Sequence, residues 1–270
     1  MIASMPRDPA FRLIVITTPT FFPGEAACLE GLLEAGLQTL HLRKPGSTEE
    51  AMKDLLRQLS PRWYSRLVLH GSRDLAESFG IPQIHSPVKK SENEVKSEDE
   101  GKRVDEGKRK DEGKRGDEGK REVEEKGGEW ENEGDEKNGG VAEKKRLVVS
   151  LSLHSWKEYE QIEKMSGDPG EELDYVLMSP LFDSISKPGY MATAGLLQNL
   201  PARYSRTVNV IGLGGIDPDT ILPVIRHGWD GAAVLGWIWE EPAAAVKRFE
   251  QLKHIIETHA DETSDHRHEV

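Results

Sequence analysis

VNVIGLGGIDPDTILPVIRHGWDGAAVLG, residues 208–236, is a pair of apolar runs that each stop at glycine. Val208, Val210 and Ile211 lead to Gly212, Gly214 and Gly215; Ala232 to Leu235 lead to Gly236. Between them Asp217-Pro218 predicts a helix start, with Asp as N-cap and Pro at the first helical position. The stretch therefore reads as strand, glycine loop, helix, strand, glycine loop. Glycine lets backbone amides come close to a ligand. In a (β/α)₈ barrel the loops after strands 7 and 8 form the usual phosphate cradle, so Gly214, Gly215, Leu235 and Gly236 are candidates for binding a phosphorylated substrate.

Working outward, six more β-type runs precede this pair: Leu13 to Thr18, Thr39 to Arg43, Arg66 to Leu69, Ile81 to His85, Leu147 to Leu153 and Tyr175 to Ser179. Amphipathic stretches alternate with them, at Glu25 to Ala35, Thr48 to Leu59, Trp156 to Met165, Pro218 to His227 and Pro242 to Thr258. Ser47 with Glu50 and Ser155 with Glu158 have capping-box spacing. Eight βα units predict an α/β chain closed into a single (β/α)₈ (TIM) barrel over residues 11–258.

The barrel is interrupted between strands 4 and 5. Residues 91–145 repeat EGKR at Glu100, Glu106, Glu112 and Glu118, and their only large apolar side chains are Val95, Val104, Val123, Trp130 and Val141. Such a segment cannot bury enough apolar surface to offset its chain entropy, so a long disordered insertion is expected, with a disordered tail over 259–270. It holds 20 acidic and 14 basic residues of the chain's 48 and 36, so half of the net charge of −12 lies there. That balance gives no support for nucleic acid or an anionic membrane surface as partner. The apolar run near the N-terminus is too short for a signal peptide or a span, and the single Cys28 allows no disulfide within the chain; a cytoplasmic protein is expected.

Chemistry in such a barrel sits where the strands end. Here the ends are basic and hydroxylic: Arg43-Lys44 after strand 2, His70 after strand 3, His85 after strand 4, Ser152 and His154 after strand 5, and Ser179 followed by Asp183, Ser184, Ser186 and Lys187 after strand 6. Arg43 and Lys187 are suited to anionic oxygens, and a histidine to moving a proton. Asp183 is the one carboxylate among these ends, too little for a Mg²⁺ site, and no metal site is expected. Trp237 and Trp239 fit either a lid or the core, with one of them expected in the core.

HLRK at 41–44, GSRDLAESFG at 71–80, SLHS at 152–155, DYVLMSPLFDSISKPGY at 174–190, GLGGI at 212–216 and GWDGAAVLG at 228–236 together resemble the thiamine phosphate synthases and the related thiazole tautomerases of the TenI type. The resemblance implies a thiamine-biosynthesis enzyme acting on a thiazole phosphate. It puts Arg43 on phosphate or pyrophosphate, Ser184, Ser186 and Lys187 in the loop after strand 6, and Gly214, Gly215 and Gly236 on the thiazole phosphate. His154 matches the acid and base of the tautomerases. The synthases carry Asn-Asp after strand 3 and an acidic residue after strand 4, both Mg²⁺ positions, where this chain has His70-Gly71 and Ser86-Pro87-Val88-Lys89. The pattern favours tautomerase (isomerase) chemistry. Lys44, shifted by one place, and Lys187 keep open the synthase (transferase) reaction, with pyrimidine pyrophosphate as second substrate and Mg²⁺ as the only cofactor to be considered. Other readings are a non-catalytic phosphate-binding or regulatory barrel with the insert as interaction arm, and another phosphate barrel such as a sugar-phosphate epimerase. A homo-oligomer is compatible with all of them.

Overall fold

A computed structural model of the chain describes residues 11–86, 147–164, 171–184, 189, 191–202 and 205–265. Eight strands run β1 Arg12–Ile16, β2 Thr39–Leu42, β3 Leu67–His70, β4 Gln83–Ser86, β5 Leu147–Leu153, β6 Glu171–Met178, β7 Asn209–Leu213 and β8 Gly231–Val234. Every neighbouring pair is parallel, and β8 pairs with β1 to close the barrel. Most observed bounds lie within two residues of those expected. β6 begins earlier, at Glu171, because the β5–β6 register shifts between Val149 and Ser150 and the ladder continues on both sides of the irregularity. The charged stretch 91–145, expected to be disordered, lies outside the described residues; in the chain it falls between β4 and β5.

Helices α1 Glu25–Glu34, α2 Glu49–Gln58 and α3 Arg73–Phe79 follow β1 to β3, and helices Trp156–Lys164, Ile221–Arg226, Gly236–Trp239 and Ala245–Asp265 follow later in the chain. Two start signals differ from their reading. Thr48 rather than Ser47 caps α2, its Oγ1 accepting from Ala51 N at 3.2 Å, while Ser47 Oγ donates to Lys44 O. Asp217 does cap, its Oδ1 accepting from Asp219 N and Thr220 N at 2.9 Å each, but the turn it organises delays the regular helix to Ile221. Ser155 Oγ accepts from Glu158 N at 3.3 Å, and the Glu158 carboxylate reaches back to His154 N instead of Ser155 N. The last helix runs past Thr258 to Asp265.

Strand periodicity of two separates the barrel interior from the helix layer. Val15, Leu40, Leu42, Leu69, Val149, Val176, Val210 and Val234 join one cluster with the helices. Ile14, Ile16, Tyr175, Leu177, Ile211 and Ala233 form a second, separate cluster on the inward faces of β1, β6, β7 and β8. On β2 to β5 the buried polar residues are His41, His85 and Ser150. The interior is thus apolar on one side and polar on the other. Trp239 belongs to the core, its indole N–H donating to Ile16 O at 2.7 Å, whereas Trp237 packs partly buried under Arg248.

Closure of the ring is tight at one point. Gly231 pairs with Arg12 on one side and Ile211 on the other, and a side chain there would drive its Cβ into the Arg12 carbonyl oxygen and within 2.8 Å of Ile211 Cδ1. We expect Gly231→Ala to destabilise the fold by about 1–3 kcal/mol, the range for overpacking against an interior that cannot relax. Urea denaturation reads this, and a wild-type midpoint would show that the seam is looser than its geometry.

Candidate active site

At the carboxyl ends of the strands a cavity of about 310 Å³ is lined by Arg43 just beyond β2, Ser152 from β5 and His154 just beyond it, Ser179 and Ser184 beyond β6, Gly214 and Gly215 beyond β7, and Leu235 and Gly236 beyond β8. Residues far apart in sequence meet there because every parallel strand ends at this rim. A larger cavity of about 900 Å³ opens on Arg12, Thr39, Phe249 and Lys253 at the amino ends. Barrel enzymes work at the carboxyl face, and the smaller cavity is the one that lies there, among the glycine loops.

The glycine loops are built for close approach. Gly214 has φ +103° and a Cβ there would lie 3.0 Å from Pro180 Cα; Gly215 has φ +63° and its Cβ would lie 2.6 Å from Phe182 Cβ. The two loops are stitched together, Leu181 N donating to Leu213 O at 3.0 Å and Phe182 N to Gly214 O at 3.1 Å. Asp183 is engaged within this structure, Oδ1 accepting from Ala192 N at 2.8 Å. A short helix starts at Gly236, beside the loop after β7, which is the arrangement of a barrel phosphate site.

His154 is exposed at this rim, and its Nδ1 lies 2.9 Å from the Ser179 carbonyl oxygen. A carbonyl only accepts, so Nδ1 carries the proton and Nε2 is left as the basic nitrogen. Arg43 has no carboxylate partner among the described residues, and its backbone is held to Thr17, whose Oγ1 accepts from Arg43 N at 2.9 Å. It is the cation in the described lining of the cavity, with the planar fork that suits an anionic oxygen.

Three of the expected site residues stand elsewhere. Lys44 is buried away from the cavity lining, its Nζ donating to Thr18 O and Thr20 O at 2.9 Å each and to the Glu25 carboxylate. Burial pulls its pKa below the ordinary lysine value while Glu25 pulls it back up, and the group braces the loop after β1. His70 and His85 lie inside the barrel with His41, a residue to which the sequence reading assigned no role. His41 Nδ1 is 2.9 Å from His70 Nε2, His41 Nε2 is hydrogen-bonded to the Tyr175 hydroxyl, and the His70 and His85 rings stack at 4.3 Å. His85 Nδ1 and Nε2 lie 2.9 Å from Ser150 Oγ and Ser152 Oγ. The signal for His41 was its spacing: Thr39, His41 and Arg43 alternate on one strand, so a residue two before the inward Arg43 faces inward too. Ser186 and Lys187 lie outside the described residues.

A Mg²⁺ ion needs hard oxygen ligands in near-octahedral order. The described residues at the rim offer imidazoles, hydroxyls and an already engaged Asp183, with Gly71 bare of a side chain. They do not fit it.

Fold and rim define a (β/α)₈ barrel with a polar carboxyl-end cavity, and comparison with known proteins narrows that class. A sequence-family profile described as thiamine monophosphate synthase matches residues 136–238. A thiamine-phosphate synthase of Bacillus velezensis is 30% identical over 108 residues, 39% of this chain and 46% of that one; one of Listeria monocytogenes is 28% identical over 95 residues, 34% and 42%. The chain thus spans less than half the length of these curated relatives. The crystal structure of a thiamine phosphate pyrophosphorylase from Bacteroides thetaiotaomicron superposes with a TM-score of 0.57 at 26% identity, covering 92% of this chain and 98% of that one. A pyrophosphorylase from Pyrococcus furiosus shares the fold, with a TM-score of 0.58 at 19% identity over 93% of this chain and 98% of that one. These likenesses are to thiamine phosphate synthases, and the sequence profile matches the part of the chain that carries β5 to β8. No helix among the described residues is long and apolar enough to cross a membrane.

The inward histidines make stability depend on pH. Burial, then the neighbouring His85 and Arg43, push His70 from 6.5 down to about 2, and burial with Arg43 pushes His85 down to about 4. The folded chain then binds fewer protons than the unfolded one below about pH 6.5, so stability is full above that value and drains as pH falls towards those lowered values. Going from about pH 7 to about pH 5 should remove on the order of 1–2 kcal/mol per histidine. Urea denaturation in the presence of a chelator measures this, and His85→Asn should flatten the slope; an unchanged slope would place the acid sensitivity elsewhere.

Proposed function

We propose that the chain acts on a thiazole phosphate, with the backbone amides around Gly214, Gly215 and Gly236 and the Arg43 guanidinium meeting the phosphate, and His154 serving as acid and base. One observation carries this reading. His154 shares a cavity with the glycine loops, and its Nδ1 is tied to the Ser179 carbonyl, leaving Nε2 as the base on the substrate side. As a tautomerase, Nε2 takes a proton from the ring and the resulting imidazolium returns one to the exocyclic carbon, converting an exocyclic double bond into the aromatic thiazole. Aromatisation drives the reaction, and the protein supplies position and a proton carrier.

A second reading has its own support, since the curated relatives are named synthases. A synthase would join a pyrimidine pyrophosphate to the thiazole phosphate with release of pyrophosphate, with Arg43, Ser184, Ser186 and Lys187 around the leaving group. A single carboxylate at the described strand ends, Asp183, already engaged by Ala192 N, weighs against it, because the metal that neutralises a leaving pyrophosphate would have poor ligands.

Purified full-length chain supplied with the exocyclic thiazole phosphate should aromatise it. His154→Ala should lower kcat by about 10²–10⁴-fold, the usual contribution of a positioned proton carrier. Mg²⁺-dependent thiamine phosphate formation from the two phosphorylated substrates, undiminished in His154→Ala, would establish the synthase reading instead.

A further inference from the structure

The cluster inside the polar half of the barrel has no part in the proton transfer at His154. His41, His70 and His85 come from β2, β3 and β4, three adjacent strands, and one ring nitrogen of each lies within 4.8 Å of the other two. We propose that these three imidazoles form a site for one divalent transition-metal ion of the Zn²⁺ or Co²⁺ kind, next to the Arg43 cavity.

Geometry comes first. Metal–nitrogen bonds of about 2.0–2.1 Å in a tetrahedral site place ligand atoms about 3.4 Å apart. His41 Nδ1 and His70 Nε2 are already 2.9 Å apart, and the His70 and His85 rings stack, so small ring rotations bring the third nitrogen into place. An ion between them would replace the hydrogen bond that His41 and His70 now share.

The surroundings suit ligands more than a general polar core. A metal-bound imidazole ordinarily gives its other N–H to an acceptor that fixes the ring. His41 Nε2 has the Tyr175 hydroxyl, and His85 has Ser150 Oγ and Ser152 Oγ, one on each nitrogen, so either can bind metal while the other remains anchored. Imidazoles without a carboxylate select borderline ions such as Zn²⁺, Co²⁺, Ni²⁺ or Cu²⁺ and reject Mg²⁺. Burial keeps the rings neutral near neutral pH, so no proton competes for the lone pairs.

Three protein ligands leave a fourth position, the mark of a site that exchanges a water or an anion. Ser152, which holds His85, also lines the cavity with Arg43. A cation there would add to Arg43 in attracting an anionic oxygen.

The test uses the full chain, freed of metal with a chelator and titrated with Co²⁺. We expect one ion per chain with the visible absorption of a low-coordinate site, displaced by Zn²⁺. His70→Asn, at the least buried of the three, should weaken binding by at least about 10-fold with the circular dichroism unchanged. His227→Ala, and the pair His266→Ala with His268→Ala, should leave it alone. X-ray absorption of the Zn²⁺-loaded wild type needs no variant and should show three imidazole ligands. Binding that survives His70→Asn, that vanishes with the C-terminal histidines, or that shows fewer than three imidazoles would overturn the proposal. So would the lack of any stoichiometric Co²⁺ binding. None of these readouts depends on the reaction proposed at His154.

Discussion

Closure of β8 onto β1 is the constraint from which the rest of the molecule follows. Four register pairs from Arg12–Gly231 to Val15–Val234 turn an open sheet into a ring. The ring has no edge strands and gathers all eight carboxyl ends at one rim. The seam tolerates no Cβ at Gly231, and the Arg12 backbone N–H donates across it to Asp230 O at 3.0 Å. Without the ring, Arg43, His154 and Gly214 would be residues on three unrelated loops.

Within the ring the two halves of the interior solve burial differently. The half built by β1, β6, β7 and β8 fills its space with Ile14, Ile16, Leu177 and Ile211, where removal from water is favourable in itself. The half built by β2 to β5 carries His41, His70, His85 and Ser150, and each burial is acceptable only because partners exist within the same layer. Tyr175 bridges them, its ring in the apolar cluster and its hydroxyl on His41. The polar half meets the cavity at Ser152, which holds His85 and also lines that cavity.

Much of this was legible because it rests on local rules. Alternation of apolar runs and amphipathic stretches is a consequence of strand and helix periods, and it located the eight strands. Glycines at 214 and 215 announced a loop, and both take positive φ there. What was not legible rests on three-dimensional contact. Ser47 and Thr48 are both good caps, and only the path of the chain into α2 selects Thr48. Lys44 looks like a second cation beside Arg43, yet past the end of β2 it turns to Glu25 in α1.

The amino-acid sequence by itself determined the order of the βα units, the glycine loops, and the supply of base and cation at the strand ends, since backbone propensity and side-chain chemistry are local properties. Only the tertiary structure decided which of those side chains meet. Barrel closure sets the shear between strands, and that shear placed His154 with the glycine loops at the rim while drawing His70 and His85 inward to His41, a grouping that spacing along the chain does not encode.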